Sequence, residues 1–362
     1  MDYRARQKRL LHSAEVARGD VFLATHLPNV RYLCGFTGSS GVLALAPSAT
    51  VFFTDGRYTE QARAEVVGAR VAIVRKSPLA AAADWLLKTA RRQKRLVAGI
   101  ESEHLTLAAR ALLLRQLSSR VRLRNTAGQV ERLRVIKEPE ELARMRAAAR
   151  LGESLFASVL SRVRPGAAEN ELAAEMEYAA RLAGAEAMSF PTIVAAGPRS
   201  ALPHAHASSA RVPRRGFVLF DFGVILAGYC SDMTRTVCVG RPTAEARRVY
   251  QAVLEAQLAA IAAVRPGVAV GEVDRAARNV LRGAGLARYF THSTGHGVGL
   301  EIHEPPRLAA GQRERLQPGM VITVEPGVYL ARRGGVRIED MVAVTGSGCE
   351  VLTSTSKELI VL

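Results

Sequence analysis

The chain has 362 residues, 48% of them hydrophobic and 23% charged, a balance that suits a folded protein of two domains and excludes a mainly disordered or low-complexity chain. The formal net charge of +17 invites a nucleic-acid reading, but the 50 cationic side chains are almost all arginine and are spread along the whole chain, without the clustered stripe that phosphate binding favours. No apolar run approaches the roughly 20 residues of a membrane span, the N-terminus has no apolar core of a secretory signal, and Cys34, Cys230, Cys238 and Cys349 form no Cys-x-x-Cys pair. The expectation is a cytoplasmic protein with free thiols and with neither nucleic-acid nor membrane partners.

From the N-terminus, strand-like apolar runs at 21–25, 41–46, 51–54, 71–74 and 96–100 alternate with helical stretches at 59–67, 79–91 and 106–117. Residues 1–126 therefore read as an α/β domain of their own. Gly35-Phe-Thr-Gly-Ser-Ser-Gly41 lacks the Gly-Lys-Ser/Thr ending of a phosphate-binding loop and reads as a tight turn. Residues 127–137 have the look of a linker. A long helix then starts near Glu138-Pro-Glu-Glu141, where acidic residues suit the positive end of the helix dipole, and the second domain runs over 138–362.

The second domain repeats itself. Arg164-Pro165-Gly166, Glu171 and Gly184 recur as Arg265-Pro266-Gly267, Glu272 and Gly285, which predicts one α+β unit used twice around a pseudo-two-fold axis, with a site at the seam. In the first copy, residues 219–236 read as a hairpin turning at Ala227-Gly228. With that turn, Gly223 lies opposite Asp232, and Asp221 is the diagonal neighbour of Asp232 on one face. Buried carboxylates need a partner, a hydrogen bond or a cation. In the second copy, Glu325 ends one strand and Glu339 sits inside the next, where alternation places Arg337, Glu339 and Met341 on one face. Between them, His292-Ser-Thr-Gly-His-Gly-Val-Gly299 carries too many glycines for a helical zinc motif, and His296 is left as an imidazole ligand. Four carboxylates and an imidazole make an oxygen-rich site for two divalent ions, Mn²⁺, Co²⁺ or Fe²⁺ with Zn²⁺ also admissible; such pairs activate a bridging water and polarise a carbonyl. The ordinary alternative is acids paired with arginines.

Several segments together resemble the pita-bread metallopeptidases of family M24, in their Xaa-Pro aminopeptidase and prolidase branch. They are Ser189-Phe-Pro-Thr-Ile-Val-Ala-Ala-Gly197, Pro203-His204, Asp221 with Asp232-Met-Thr-Arg-Thr236, Gly295-His-Gly-Val-Gly-Leu300, His303-Glu-Pro305, Val324-Glu-Pro-Gly-Val-Tyr329 and Gly335-Val-Arg-Ile-Glu-Asp340. The first domain, with Asn29-Val-Arg-Tyr-Leu-Cys-Gly-Phe-Thr-Gly38 and Thr54-Asp-Gly-Arg-Tyr58, resembles the creatinase-type N-terminal domain of the same branch. The resemblance implies an α+β pita-bread catalytic domain and a dinuclear centre, with Mn²⁺ the first expectation. Asp221, Asp232, His296, Glu325 and Glu339 would be its ligands. Glu325 would also shuttle protons, His303 and His204 would stabilise the tetrahedral intermediate, and His292 with Arg337 would shape substrate binding. It further implies proline-containing peptides or dipeptides as substrates and a homodimer. Creatinase-like and methionine aminopeptidase-like hydrolases, and a non-catalytic pita-bread binding protein, stand as the alternatives.

Overall fold

The computed structural model describes residues 1–91 and 95–362, which divide into two compact units, Met1–Arg134 and Val135–Leu362. In the first unit a six-stranded sheet runs in the order Arg70–Val74, Ala49–Asp55, Val42–Ala46, Val21–Ala24, Leu96–Glu101, Val121–Thr126. Its central strands are apolar on both faces and buried throughout, the pattern of a sheet covered on both sides. The helices expected in this unit form at Thr59–Glu65, Pro78–Ala90 and Leu107–Gln116. Helices at Tyr3–His12 and Leu27–Cys34 and the last strand are additions. The glycine-rich stretch after Leu27–Cys34 begins as a helix stop, with Gly35 at φ 87°.

The stretch expected to be a linker is divided between the units instead. Gln129–Arg134 is a helix whose Val130 is buried and whose Arg134 donates to Asn29 at 2.7 Å, so it belongs to the first unit. Lys137, three residues on, donates its amide to Gly319 O at 2.8 Å and so belongs to the second.

The second unit carries the duplication. Helix Pro139–Leu160 begins at Glu138 with a capping box closed by Glu141, and Ala244–Ala263 is capped by Thr243. The following helices, Glu169–Leu182 and Val270–Gly283, start and end at matching positions of the two repeats. The turns before them are built alike. Gly166 and Gly267, at φ 90° and 82°, donate to Val212 O and Leu316 O at 2.9 and 2.8 Å. Arg211 and Arg315 each return a 2.6 Å bond to those glycines' carbonyls. Each half buries its own apolar cluster, one around Phe156, Phe220 and Phe222, the other around Val253, Ile322 and Val342.

Each half then presents a broken hairpin. Gly216–Phe222 pairs with Met233–Val239, and Val224–Leu226 with Tyr229–Cys230, around the expected turn with Ala227 at φ 49° and Gly228 at φ 85°. The register sets Thr234 opposite Asp221, which makes Asp232 the diagonal neighbour of Asp221, as the turn dictates. In the second half Val321–Val324 pairs with Asp340–Val344, and Gly327–Leu330 with Gly334–Arg337. Glu339 therefore lies in the break between two strands, not inside one as expected. The sheet changes partner there, and Glu339 donates its amide to Thr234 O of the other hairpin at 3.1 Å.

Candidate active site

The two breaks bring the acids together. At the first, the chains approach so closely that a Cβ on Gly223 would lie 1.8 Å from Ser231 O; only glycine lets Asp232 be delivered at this point. His296 sits in the short strand Gly295–Gly297, squeezed between Glu304–Leu308 and Val321–Val324. A Cβ on Gly295 or Gly297 would lie 2.0 Å from Thr323 O or 2.1 Å from Pro305 O, so the flanking glycines are the condition for the imidazole's placement.

Ligand atoms of Asp232, His296 and Glu339 lie within 4.8 Å of one another. His296 Nδ1 is 2.9 Å from Gly297 O, which fixes the proton there and leaves the Nε2 lone pair facing Asp232 and Glu325 carboxylate oxygens, each at 3.6 Å. A lone pair aimed at two carboxylates gains nothing by itself. The spacing is too long for a hydrogen bond and suits donor atoms sharing a cation at about 2.0–2.2 Å each. Asp221 turns Oδ2 to Arg337 at 2.5 Å, while its buried Oδ1 has no hydrogen-bond partner among the described residues. Orphaned buried oxygens are rare, and this one fits a ligand position. The residues present therefore fit a divalent-metal centre.

Charge repulsion in the cluster points the same way. Burial, reinforced by the Glu339 and Asp221 charges, pushes the Asp232 carboxyl well above its usual range; burial with Glu325 and Asp221 does the same to Glu339. Burial raises Glu325 to about 7. His296, buried, falls to about 4 and is neutral, the form a metal needs. An acid set that protonates rather than coexist as anions is short of positive charge.

The remaining expected residues also line the cavity of about 780 Å³ that opens onto the acids. The His303 ring meets His296 edge-on at 4.4 Å, and His204 stands exposed on the loop before Ala205. Burial and the nearby Arg337 lower His292 to about 4. Its Nδ1 is 2.8 Å from Ser293 O and its Nε2 2.8 Å from the Tyr329 hydroxyl, which in turn lies 2.7 Å from Arg337. A neutral His292 thus accepts from Tyr329 while Tyr329 accepts from Arg337. Arg337 also reaches Thr234 Oγ1 at 3.1 Å and Pro203 O at 3.2 Å, beside His204. Burial opposes its charge, but Tyr329, Asp221, Glu325 and Glu339 outweigh that and hold it cationic. Arg337, Glu339 and Met341 do share a face: they contact Asp221, Thr234 and the Asp232 amide respectively.

Two participants were not among the expected site residues. Thr234 donates to Glu339 Oε2 at 2.6 Å, and Tyr329 links His292 to Arg337. Tyr329 was within reach of the sequence: it pairs with Gly335, two residues from Arg337, so a hairpin reading of 327–337 places both on one face.

A duplicated α+β unit with buried acids at the two hairpin breaks defines a pita-bread hydrolase with a metal centre. The chain belongs to metallopeptidase family M24, which matches residues 143–346; the Creatinase/Prolidase N-terminal domain matches residues 6–136. It is 40% identical to the uncharacterized peptidase YqhT of Bacillus subtilis over 95% of this chain and 96% of that protein. The solved Xaa-Pro dipeptidase of Bacillus anthracis superposes with a TM-score of 0.95 at 38% identity, covering 100% of both chains. The X-Pro aminopeptidase of Thermotoga maritima gives 0.90 at 34% identity over 99% of this chain and 100% of that one. Among the described residues no helix is long and apolar enough to cross a membrane.

Proposed function

We propose that the protein hydrolyses the bond between an N-terminal residue and a following proline, with Asp221, Asp232, His296, Glu325 and Glu339 holding two divalent ions, Mn²⁺ foremost. The observation that carries this is the convergence of Asp232, His296 and Glu339 within 4.8 Å at the floor of the cavity. When bound, the ions supply a polarised carbonyl and a water acidic enough to attack at neutral pH. Glu325, beside His296 and deprotonated with difficulty, takes the water's proton and returns it to the departing nitrogen. That return lets the proline nitrogen leave as a neutral amine; the scissile bond, a tertiary amide, has no N–H for the site to hold. His303 and His204, exposed on the cavity wall, donate to the oxyanion. Phe190, Pro191, Ile193 and Ile302 give the pyrrolidine ring an apolar wall.

Arg307 favours the dipeptidase form of this activity. It pairs with His296 across two strands, so its guanidinium rises on the same face, it lines the cavity, and it has no ion-pair or hydrogen-bond partner among the described residues. A dipeptide's terminal carboxylate is the group it would hold. The aminopeptidase form is favoured by the cavity's size, about 780 Å³, which is more than a dipeptide fills. Rates with Mn²⁺ on Ala-Pro, Ala-Pro-amide and Ala-Pro-Ala decide between them. The dipeptidase reading expects Ala-Pro to be preferred at least tenfold in kcat/KM, with the preference lost in Arg307→Met. Equal rates on all three would select the aminopeptidase, and no cleavage of any would refute the function.

A further inference from the structure

Two loops that bring histidines to the cavity are held by clamps of the same construction. In the second half, buried Asp274 accepts from Thr294 Oγ1 at 2.8 Å and from Arg278 Nε at 2.8 Å, and Arg278 donates onward to His292 O at 2.6 Å. In the first half, buried Glu169 accepts from Ser208 Oγ at 2.7 Å and from Arg199 Nε at 3.0 Å, and Arg199 donates onward to His206 O at 2.7 Å. Each clamp has a buried acid, a hydroxyl two residues after a histidine, and a guanidinium that ties the acid to that histidine's carbonyl.

The clamps are not copies inherited with the repeat. The position matching Glu169 in the second helix is Val270, and the position matching Asp274 in the first is Ala173. The same device therefore arises from different positions, and in each case it is the carbonyl of a cavity-lining histidine that is fixed. Holding a loop backbone through a buried carboxylate costs desolvation that an apolar contact would avoid, so the device is informative where it recurs.

Among the histidines that line the cavity, His206 is the one without a role so far. Ala205 is buried against Ile193, Ala195 and Leu219, its neighbours His204 and His206 are exposed, and both histidines line the cavity. The His206 ring has no partner among the described residues. We propose that His206 is a second substrate-contacting residue, held in place by the Glu169–Arg199 clamp as His292 is by Asp274–Arg278. His204 follows Pro203, whose carbonyl accepts from Arg337 at 3.2 Å, and so lies close to the acids. His206, two residues farther along, meets the peptide away from the reacting carbonyl, as a donor to a backbone or terminal oxygen. Its contribution is to binding, and Arg199 is a positioning residue that acts through it.

The inference rests on the peptidase reading, and a kinetic double-mutant cycle on an Xaa-Pro dipeptide at saturating Mn²⁺ separates the two. His206→Ala is expected to raise KM about three- to tenfold, the worth of one hydrogen bond, with kcat within about twofold. His206→Gln, which keeps a donor, recovers part of the loss. Arg199→Ala raises KM in the wild-type background and has no further effect on KM in His206→Ala, because its influence runs through the ring that is gone. A purely structural clamp would lower the melting temperature equally in both backgrounds and leave KM alone. An unchanged KM in His206→Ala beside an active wild type overturns the role of His206, as do independent, multiplying effects of the two substitutions. A wild type that cleaves no Xaa-Pro peptide overturns the peptidase reading and this inference with it.

Discussion

Each unit buries a cluster of acids, and the two clusters are finished in opposite ways. In the first unit, Glu101 accepts from the Thr25 and His26 amides at 2.6 and 2.8 Å and from Asn29 at 2.8 Å, while Glu131 lies 2.8 Å from His104 and Arg134 closes on Asn29. Burial alone would raise Glu131, but its hydrogen bonds from Asn29 and His104 outweigh that and hold it below its ordinary value. In the second unit, burial and neighbouring carboxylates push Asp232 and Glu339 up, burial and then Asp221 push Glu325 up, and a buried Asp221 oxygen has no partner among the described residues. Burial of carboxylates is common to both clusters and distinguishes neither. The absence of enough donors in the second marks the site.

The largest effects should come from removing that distinction. Asp232→Asn and His296→Ala are expected to lower kcat for Xaa-Pro hydrolysis by at least about 10³-fold with the circular dichroism spectrum unchanged. Retained turnover in both would place the chemistry elsewhere. Next in size is an opposite pH dependence of stability in chelator-treated protein. Glu325, Asp232 and Glu339 are raised above their unfolded values, so the stability they contribute is fully present below about pH 4.5 and is lost as pH rises through 7 and beyond. Glu131 is lowered, so its contribution is present above about pH 4.5 and lost as pH falls. Thermal melts should therefore show Mn²⁺ raising Tm more at pH 8 than at pH 5, and a pH-independent increment would count against the acid cluster as its target. Tyr329→Phe, which leaves His292 and Arg337 unlinked, should cost roughly tenfold in kcat/KM. Smallest in activity is Glu131→Gln, expected within about twofold in kcat/KM but less stable by roughly 1–3 kcal/mol in urea unfolding.

The contrast also explains what was legible in the sequence. The Ala227-Gly228 turn fixes the register of its hairpin, so the relation of Asp221 to Asp232 could be read from residues close in the chain. The repeat of Arg-Pro-Gly and its glycines gave the duplication because those positions need positive φ in both copies. Glu339 was misplaced within its strand because the break there depends on Thr234, 105 residues away. The first unit's cluster is not legible in the sequence: Asn29 opens the Asn29–Gly38 segment, but its partner Glu131 lies 102 residues away. Gln129–Arg134 reads as linker in the sequence because a six-residue helix shows too little periodicity, and its buried Arg134 looks like a surface residue. The clamps at Glu169 and Asp274 were invisible for the same reason, since each acid's meaning lies in a partner arginine and in a carbonyl.

Calorimetric titration of Mn²⁺ into chelator-treated protein at pH 8 tests the central claim, that the second cluster is built for cations, most directly. Two ions are expected to bind per chain, with Glu339→Gln losing at least one of them and Glu131→Gln losing neither. No Mn²⁺ binding by the wild-type chain, or unaltered binding by Glu339→Gln, would contradict it.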